Sequence, residues 1–331
     1  MPPFQCSSDG TIFFNMIEPS TIADAADYSR LPLTALDRSN RIVTFQIRQI
    51  DGLFDVRESS HYASESAVVF LVSAAQENQP ASQKYASDFG AISEEATNSA
   101  PRHNFAAIFD LAAKFKNLVQ LDDAFQVQRL GVFPSGLFLA YGYDATDHAT
   151  RIALLNSDGT ILKYLTAEDG ALPKTAFHKA SIGNTKVDFV NPVQFVPFGT
   201  SILMVQNKAR FPLLEVSEAG AVRVIRPKLP GGLQIETLIP SDVNLFARVN
   251  EGENGSIYEL NPRTGAALKR FQLEKSEGSH NVSCVREGKF LSFEHATGAL
   301  VPLLGTPKRA ADGNPEKGHR QREMHSSAGL N

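Results

Sequence analysis

The chain has 331 residues, 42% of them hydrophobic and 21% charged, enough apolar material to bury a substantial core. A formal net charge of −4 gives no overall basic character of the kind that nucleic acid or anionic lipid recognition demands. Two cysteines exclude a disulfide framework, and the most apolar stretch, residues 67–75, falls far short of the roughly 20 residues that cross a bilayer.

Helical periodicity is scarce. Short β-branched and aromatic runs separated by Gly, Asp, Asn, Ser and Pro recur from end to end, the pattern of an all-β chain with regular turns. Residues 5–14 predict a hairpin around Ser8-Asp9-Gly10, followed by an insertion at 18–32 and a tight turn at 37–40. A long unit over 49–121 contains an insertion at 76–103, rich in Ser, Ala, Gln, Asn and Glu, which reads either as a lid or as a disordered segment. The unit ends in a hairpin around Ala112-Ala113. Residues 128–143 turn at Pro134-Ser135-Gly136, and 151–165 turn at Asp158-Gly159, where glycine supplies a positive φ without steric cost.

After a crossing at 167–186 the same two phrases return. Residues 194–206 turn at Phe198-Gly199, and 211–225 turn at Ala219-Gly220. They return again as 236–249, turning at Pro240-Ser241-Asp242, and 257–273, turning at Arg263-Thr264-Gly265. Residues 283–293, turning at Gly288, match 5–14 position for position, with Cys284 and Cys6 in register.

Pairing each first hairpin with its second gives a four-stranded unit, and six such units are expected: 4–48, 49–121, 122–166, 186–227, 231–274 and 278–305. The expected fold is an all-β, six-bladed β-propeller over residues 1–305, with a disordered polar tail at 306–331. A β-solenoid is the competing architecture, but its coils are shorter and lack paired hairpins. The strand–turn–strand phrases, typified by Asn156-Ser157-Asp158-Gly159-Thr160, resemble the six-bladed superfamily of NHL-repeat and TolB-like propellers. That resemblance covers essentially 4–305 and implies architecture; the superfamily includes binding modules, lyases, lactonases and scaffolds.

The last unit offers three strands, and a propeller must join its last blade to its first. Either a closing strand, together with an export signal, lies upstream of Met1, which would make the protein extracytoplasmic, or the sixth blade is short and its edge is covered by a loop. As written, the chain opens without a signal peptide and reads as cytoplasmic. Cys6 and Cys284 sit on equivalent strands of blades that meet at closure; two buried free thiols are expected rather than a bridge. The sequon at Asn281 lies against a strand interior, which argues against an exposed acceptor.

In an up-and-down blade the tight turns share one face, so the long connections share the other. Polar residues at or just beyond the second-strand ends are therefore candidates for a binding site around a channel mouth: Asp144, His148, Asn207, Arg210, Asn250, Glu251 and His295. Turn residues are of these types everywhere, so the pattern identifies a face more firmly than a ligand. The expected function is non-catalytic binding of a protein or a small polar ligand by a monomer, with no nucleic acid partner and no membrane span. The alternative is a lactonase-like hydrolase or lyase, in which Glu18, Asp144, Asn207 and Asn250 would supply oxygen ligands to calcium. No zinc-type His or Cys spacing, GxSxG elbow, phosphate loop or dinucleotide fingerprint is present.

Overall fold

The computed structural model describes residues 5–7, 11–15, 33–37, 39, 41–76, 102–147, 149–166, 178–182, 185–189, 193–206, 212–239, 241, 244–249, 255–273, 282–286, 289–294, 299–303 and 305–309. Apart from two single-turn 3-10 segments, the regular structure among these residues is β-strand. The first sheet contains β1 (Gln5–Cys6), β2 (Ile12–Asn15), β3 (Leu33–Leu36) and β4 (Ile42–Phe45). The second contains β5 (Leu53–Ala63), β6 (Val68–Gln76), β7 (Arg102–Phe109) and β8 (Phe115–Gln120). The third contains β9 (Phe125–Val132), β10 (Phe138–Asp144), β11 (Ala149–Leu155) and β12 (Ile161–Tyr164).

A two-stranded hairpin, β13 (His178–Ile182) with β14 (Thr185–Phe189), occupies part of the crossing that the sequence predicts to be irregular. The fourth sheet is β15 (Val193–Phe198), β16 (Ser201–Gln206), β17 (Leu213–Val216) and β18 (Val222–Ile225). The fifth is β19 (Ile235–Ile239), β20 (Leu245–Val249), β21 (Ser256–Leu260) and β22 (Ala267–Leu273); the sixth is β23 (Val282–Arg286), β24 (Lys289–Glu294) and β25 (Ala299–Leu303). Neighbours within each sheet are antiparallel and follow chain order.

One strand departs from that order. Residues 306–309 fall in the stretch the sequence predicts to be a polar tail, yet β26 (Gly305–Arg309) pairs with β22 as a fifth strand of the fifth sheet. Gly-Thr-Pro-Lys-Arg has no apolar alternation of its own. Its strand conformation comes from the backbone ladder of β22, a context that side-chain patterning does not record. Residues 310–331 lie outside the described residues.

Apolar clusters lie between successive sheets. Phe13 and Phe45 of the first sheet meet Phe70 and Phe109 of the second; Phe45 and Phe70 have ring centroids 5.3 Å apart, and Phe70 and Phe109 stand edge to face at 5.4 Å. A larger cluster joins the second, third and fourth sheets, another the fourth and fifth, and Ile239, Phe246, Ile257 and Phe290 join the fifth and sixth. A sheet covered on both faces needs apolar residues at consecutive positions. The run at 67–75 is accordingly β6, buried on both sides from Val68 to Val72. Each such Phe or Leu contributes about 1.5–3 kcal/mol on burial.

First strands of successive sheets run side by side: β5 by β9, β9 by β15, β15 by β19, β19 by β23, and β23 by β1. These strands pair on one edge only, and long side chains satisfy backbone groups of the next sheet. Arg129 Nε donates to the Val193 carbonyl at 2.9 Å. Gln194 donates to the Leu238 carbonyl at 3.2 Å and accepts from the Leu238 N–H, also at 3.2 Å. Arg286, ending β23, donates to the Asp37 carbonyl of the first sheet at 3.2 Å. The strands carrying Cys6 and Cys284 are thus neighbours, while both cysteine side chains lie outside the described residues.

The repeated glycine turns set the spacing between sheets. Gly159 (φ 88°), in the β11–β12 turn, faces the second sheet so closely that a Cβ would stand 2.3 Å from the Gln120 carbonyl oxygen. Gly265 (φ 70°), in the β21–β22 turn, repeats the arrangement against the Arg226 carbonyl oxygen, at 2.2 Å. Gly199 (φ 55°) has the same backbone sign with nothing within 4 Å. Gly199→Ala is therefore expected to cost about 1 kcal/mol from backbone strain alone. Gly265→Ala is expected to cost about 3 kcal/mol or more, because backbone must also move. Urea unfolding of the two variants measures the difference; equal costs would rule out the spacing role.

Candidate functional site

Strand direction divides the ends of the sheets into two sets. The tight turns at 64–67, 110–114, 133–137, 156–160, 199–200, 217–221 and 261–266 fall at one end. The connections from second to third strands fall at the other end, together with the links between sheets. Asp144, at the C-terminus of β10, lies at this second end. It is the one sequence-predicted site residue within the described set. His148, Asn207, Arg210, Asn250, Glu251, His295 and Glu18 lie outside it, in connections that leave second strands at the end where Asp144 stands.

Asp144 is only 5% exposed, and both of its carboxylate oxygens are occupied. Oδ1 accepts the N–H groups of Thr146 at 2.8 Å and Asp147 at 3.2 Å, folding residues 145–147 into a compact turn. Oδ2 accepts the hydroxyl of Tyr164 from the outer strand β12. The Tyr164 ring stands edge-on to Phe125, with centroids 6.0 Å apart, and the Arg151 guanidinium lies over its face at 5.7 Å. Arg151 also pairs with Asp147 at 2.7 Å, which closes the loop back onto β11. The end of the third sheet is thereby tied from its second strand to its fourth.

The Tyr164 hydroxyl holds the Asp144 carboxyl below its ordinary value. Burial opposes this, and the N–H groups of Thr146 and Asp147 add to it. Loss of water, then the hydrogen bond to Asp144 and the charge of its carboxylate, push the Tyr164 phenol up to about 12.

The same end of the second sheet carries a polar group that the sequence alone does not single out. His103, near the start of β7, has Nδ1 2.7 Å from an Asp123 carboxylate oxygen and 3.4 Å from the Gln120 amide nitrogen. The His103 side chain is 15% exposed and that of Asp123 54%, so the pair opens to solvent on the acid side. Its members are twenty residues apart. The signal that unites them is the β7–β8 register, which sets Phe105 opposite Gln120 and so carries residue 103 towards the link that follows β8. Beside it, Arg102 donates to the Asp55 carboxylate and carbonyl and to the Ser73 carbonyl, spanning β5 to β7. Asp55 holds a positive φ of 48°, a conformation that costs a non-glycine residue about 1–2 kcal/mol and that the Arg102 contacts help hold in place.

Among the described residues, no three His, Cys, Asp or Glu side chains converge as a metal site. Asp144, the described member of the calcium set, has both carboxylate oxygens in hydrogen bonds, Oδ1 with its own turn and Oδ2 with Tyr164; Glu18, Asn207 and Asn250 lie outside the described residues.

Tyr164→Phe is expected to cost about 1–2 kcal/mol at pH 7, below the full worth of a hydrogen bond to a charged acceptor because Tyr164 is 37% exposed. Because the folded pKa of Asp144 is lowered, this stabilisation is present above its unfolded value near 4 and is lost as pH falls through the folded value. The raised pKa of Tyr164 adds an alkaline limb, with stability lost as pH rises from about 10 through about 12. Urea unfolding of wild type and Tyr164→Phe across pH checks both limbs; a penalty unchanged in strong acid would exclude Asp144 as the acceptor.

No protein-family profile matches the chain, and no curated protein matches it in sequence. Among solved structures it is similar to a glutaminyl cyclase from Myxococcus xanthus, at 11% identity and a TM-score of 0.31 over 62% of this chain and 87% of that one. It is also similar to prolyl oligopeptidase B from Galerina marginata, at 10% identity and a TM-score of 0.38 over 93% of this chain and 50% of that one. Likenesses this distant carry no assignment of activity.

Proposed function

We propose that the chain is a six-bladed propeller that acts as a non-catalytic binding module, taking a polar ligand or a protein partner on the end formed by its long connections. The observation that carries this reading is the asymmetry of the two ends. One end consists of tight turns; the other collects the links between sheets, the second-to-third-strand connections, and the networks around Asp144 and His103. A closed ring is supported by the side-by-side first strands, by β23 lying next to β1, and by the Arg286–Asp37 hydrogen bond between the sixth and first sheets.

In this reading Asp144 positions rather than binds. Its carboxylate shapes the turn at 145–147, immediately before His148. His148, Asn207, Arg210, Asn250, Glu251 and His295 supply the contacts, each from a connection at that end. Side chains contributed by several sheets to one mouth can recognise a polar ligand with a few converging groups.

Thermal unfolding in a screen of small polar metabolites, with calcium in a separate arm, tests the proposal. A ligand at about 100 times its Kd adds about 2.7 kcal/mol and raises the midpoint by several degrees. That rise should disappear in the triple variant His148→Ala, Asn250→Ala, Glu251→Ala and persist in EDTA. A rise produced by calcium alone and abolished by EDTA would replace this reading with a metal-dependent site.

A further inference from the structure

A strip of positive charge runs along the outer side of the fifth sheet, in a chain whose net charge is negative. Residues 226–228, 263–273 and 305–309 contain Arg226, Lys228, Arg263, Lys269, Arg270, Lys308 and Arg309 and no Asp or Glu. The fold makes these three segments contiguous. Lys228 bridges Ala266 in parallel, and its N–H donates to the Gly265 carbonyl at 2.8 Å. β26 then lies along β22 in a register that sets Arg309 opposite Lys269 and Lys308 opposite Arg270.

Each like-charged pair is unfavourable in itself, since directly opposed residues stand about 4.5–5.5 Å apart; the two successive rungs belong to opposite faces, so this edge of the sheet is cationic on both. Lys228, Arg263 and Lys269 are exposed, and none makes an ion pair among the described residues. Lysine and proline on an outer strand discourage pairing with another copy, which accounts for Pro307 and Lys308. It does not account for cations in the Arg226–Lys228 link or at Arg263 in the turn.

We infer that this strip is a docking surface for an extended, acidic protein segment. The third strand already displays the complementary chemistry: Glu259 stands opposite Lys269 on β21, so one rung reads Glu259, Lys269, Arg309 across three strands. A carboxylate beyond β26 would complete that rung. Leu268, 48% exposed among the cations, offers apolar contact to a peptide side chain. Since the whole chain is at −4, the surface away from the strip is correspondingly more acidic and repels a long polyanion such as nucleic acid, but not a short segment confined to the strip. The strip shares the Arg226–Lys228 link with the long-connection end, but docking on it does not depend on the function proposed for that end.

Fluorescence anisotropy with a labelled decaglutamate peptide at low salt tests the inference. Binding is expected, weakening as salt rises. The variant Lys228→Gln, Arg263→Gln, Lys269→Gln is expected to bind about tenfold more weakly, the combined worth of three exposed charge pairs. A control carrying Arg57→Gln, Lys114→Gln and Lys116→Gln, with the same net charge, should bind as wild type does. Thermal midpoints establish that both variants fold. No binding at low salt, or equal weakening in the control, overturns the site. A decathymidylate that binds more tightly than decaglutamate overturns the peptide as its occupant.

Discussion

Close backbone approach at the glycine turns governs how the sheets can stack. At Gly159 and Gly265 a carbonyl oxygen of the preceding sheet or link occupies the space a side chain would need. Gly220 meets the Lys163 and Leu165 side chains of the third sheet, a softer contact because the end of the lysine chain can move. With that distance fixed at the outer strands, adjacent sheets lie close enough for their faces to interdigitate, and water is excluded between them. The apolar clusters between those sheets follow from this spacing. Between the first and second sheets, where no glycine contact is described, Phe45, Phe70 and Phe109 meet at centroid distances of 5.3–5.6 Å and supply the packing themselves. Central strands such as β6 then need apolar residues on both faces, and tight packing of this kind tolerates little change in volume.

Legibility in the sequence follows the range of the interaction. The hairpins around Asp158-Gly159, Ala219-Gly220 and Arg263-Thr264-Gly265 could be read because turn glycines and flanking β-branched residues are local signals. The all-β, four-stranded organisation followed from their recurrence. Features that depend on distant backbone could not be read. β26 has strand geometry only because β22 offers an edge, and the β13–β14 hairpin lies in a stretch whose residues alternate weakly. At the site, the place of Asp144 at the end of a second strand could be read from the sequence. Its engagement by Tyr164, twenty residues and two strands away, was not. The His103–Asp123 pair escaped for the same reason, since it needs the register of the intervening hairpin.

The first strands explain how adjacent sheets are fastened to one another. Each pairs with one neighbour, leaving a row of N–H and C=O groups that cost free energy if buried without partners. Polar side chains on these strands meet that need. Arg129 spans from the third sheet to the Val193 carbonyl, and also caps the Gln128 carbonyl at 2.7 Å. Gln194 uses both ends of its amide on Leu238, and its oxygen also accepts the Thr237 hydroxyl at 3.0 Å. Arg286 serves the first sheet through Asp37. Groups engaged in this way cannot turn to a ligand without unfastening neighbouring sheets. These side chains belong to the scaffold that holds the sheets together. The connections that leave the second strands start from sheets whose relative positions the glycine turns and first-strand bridges have already set.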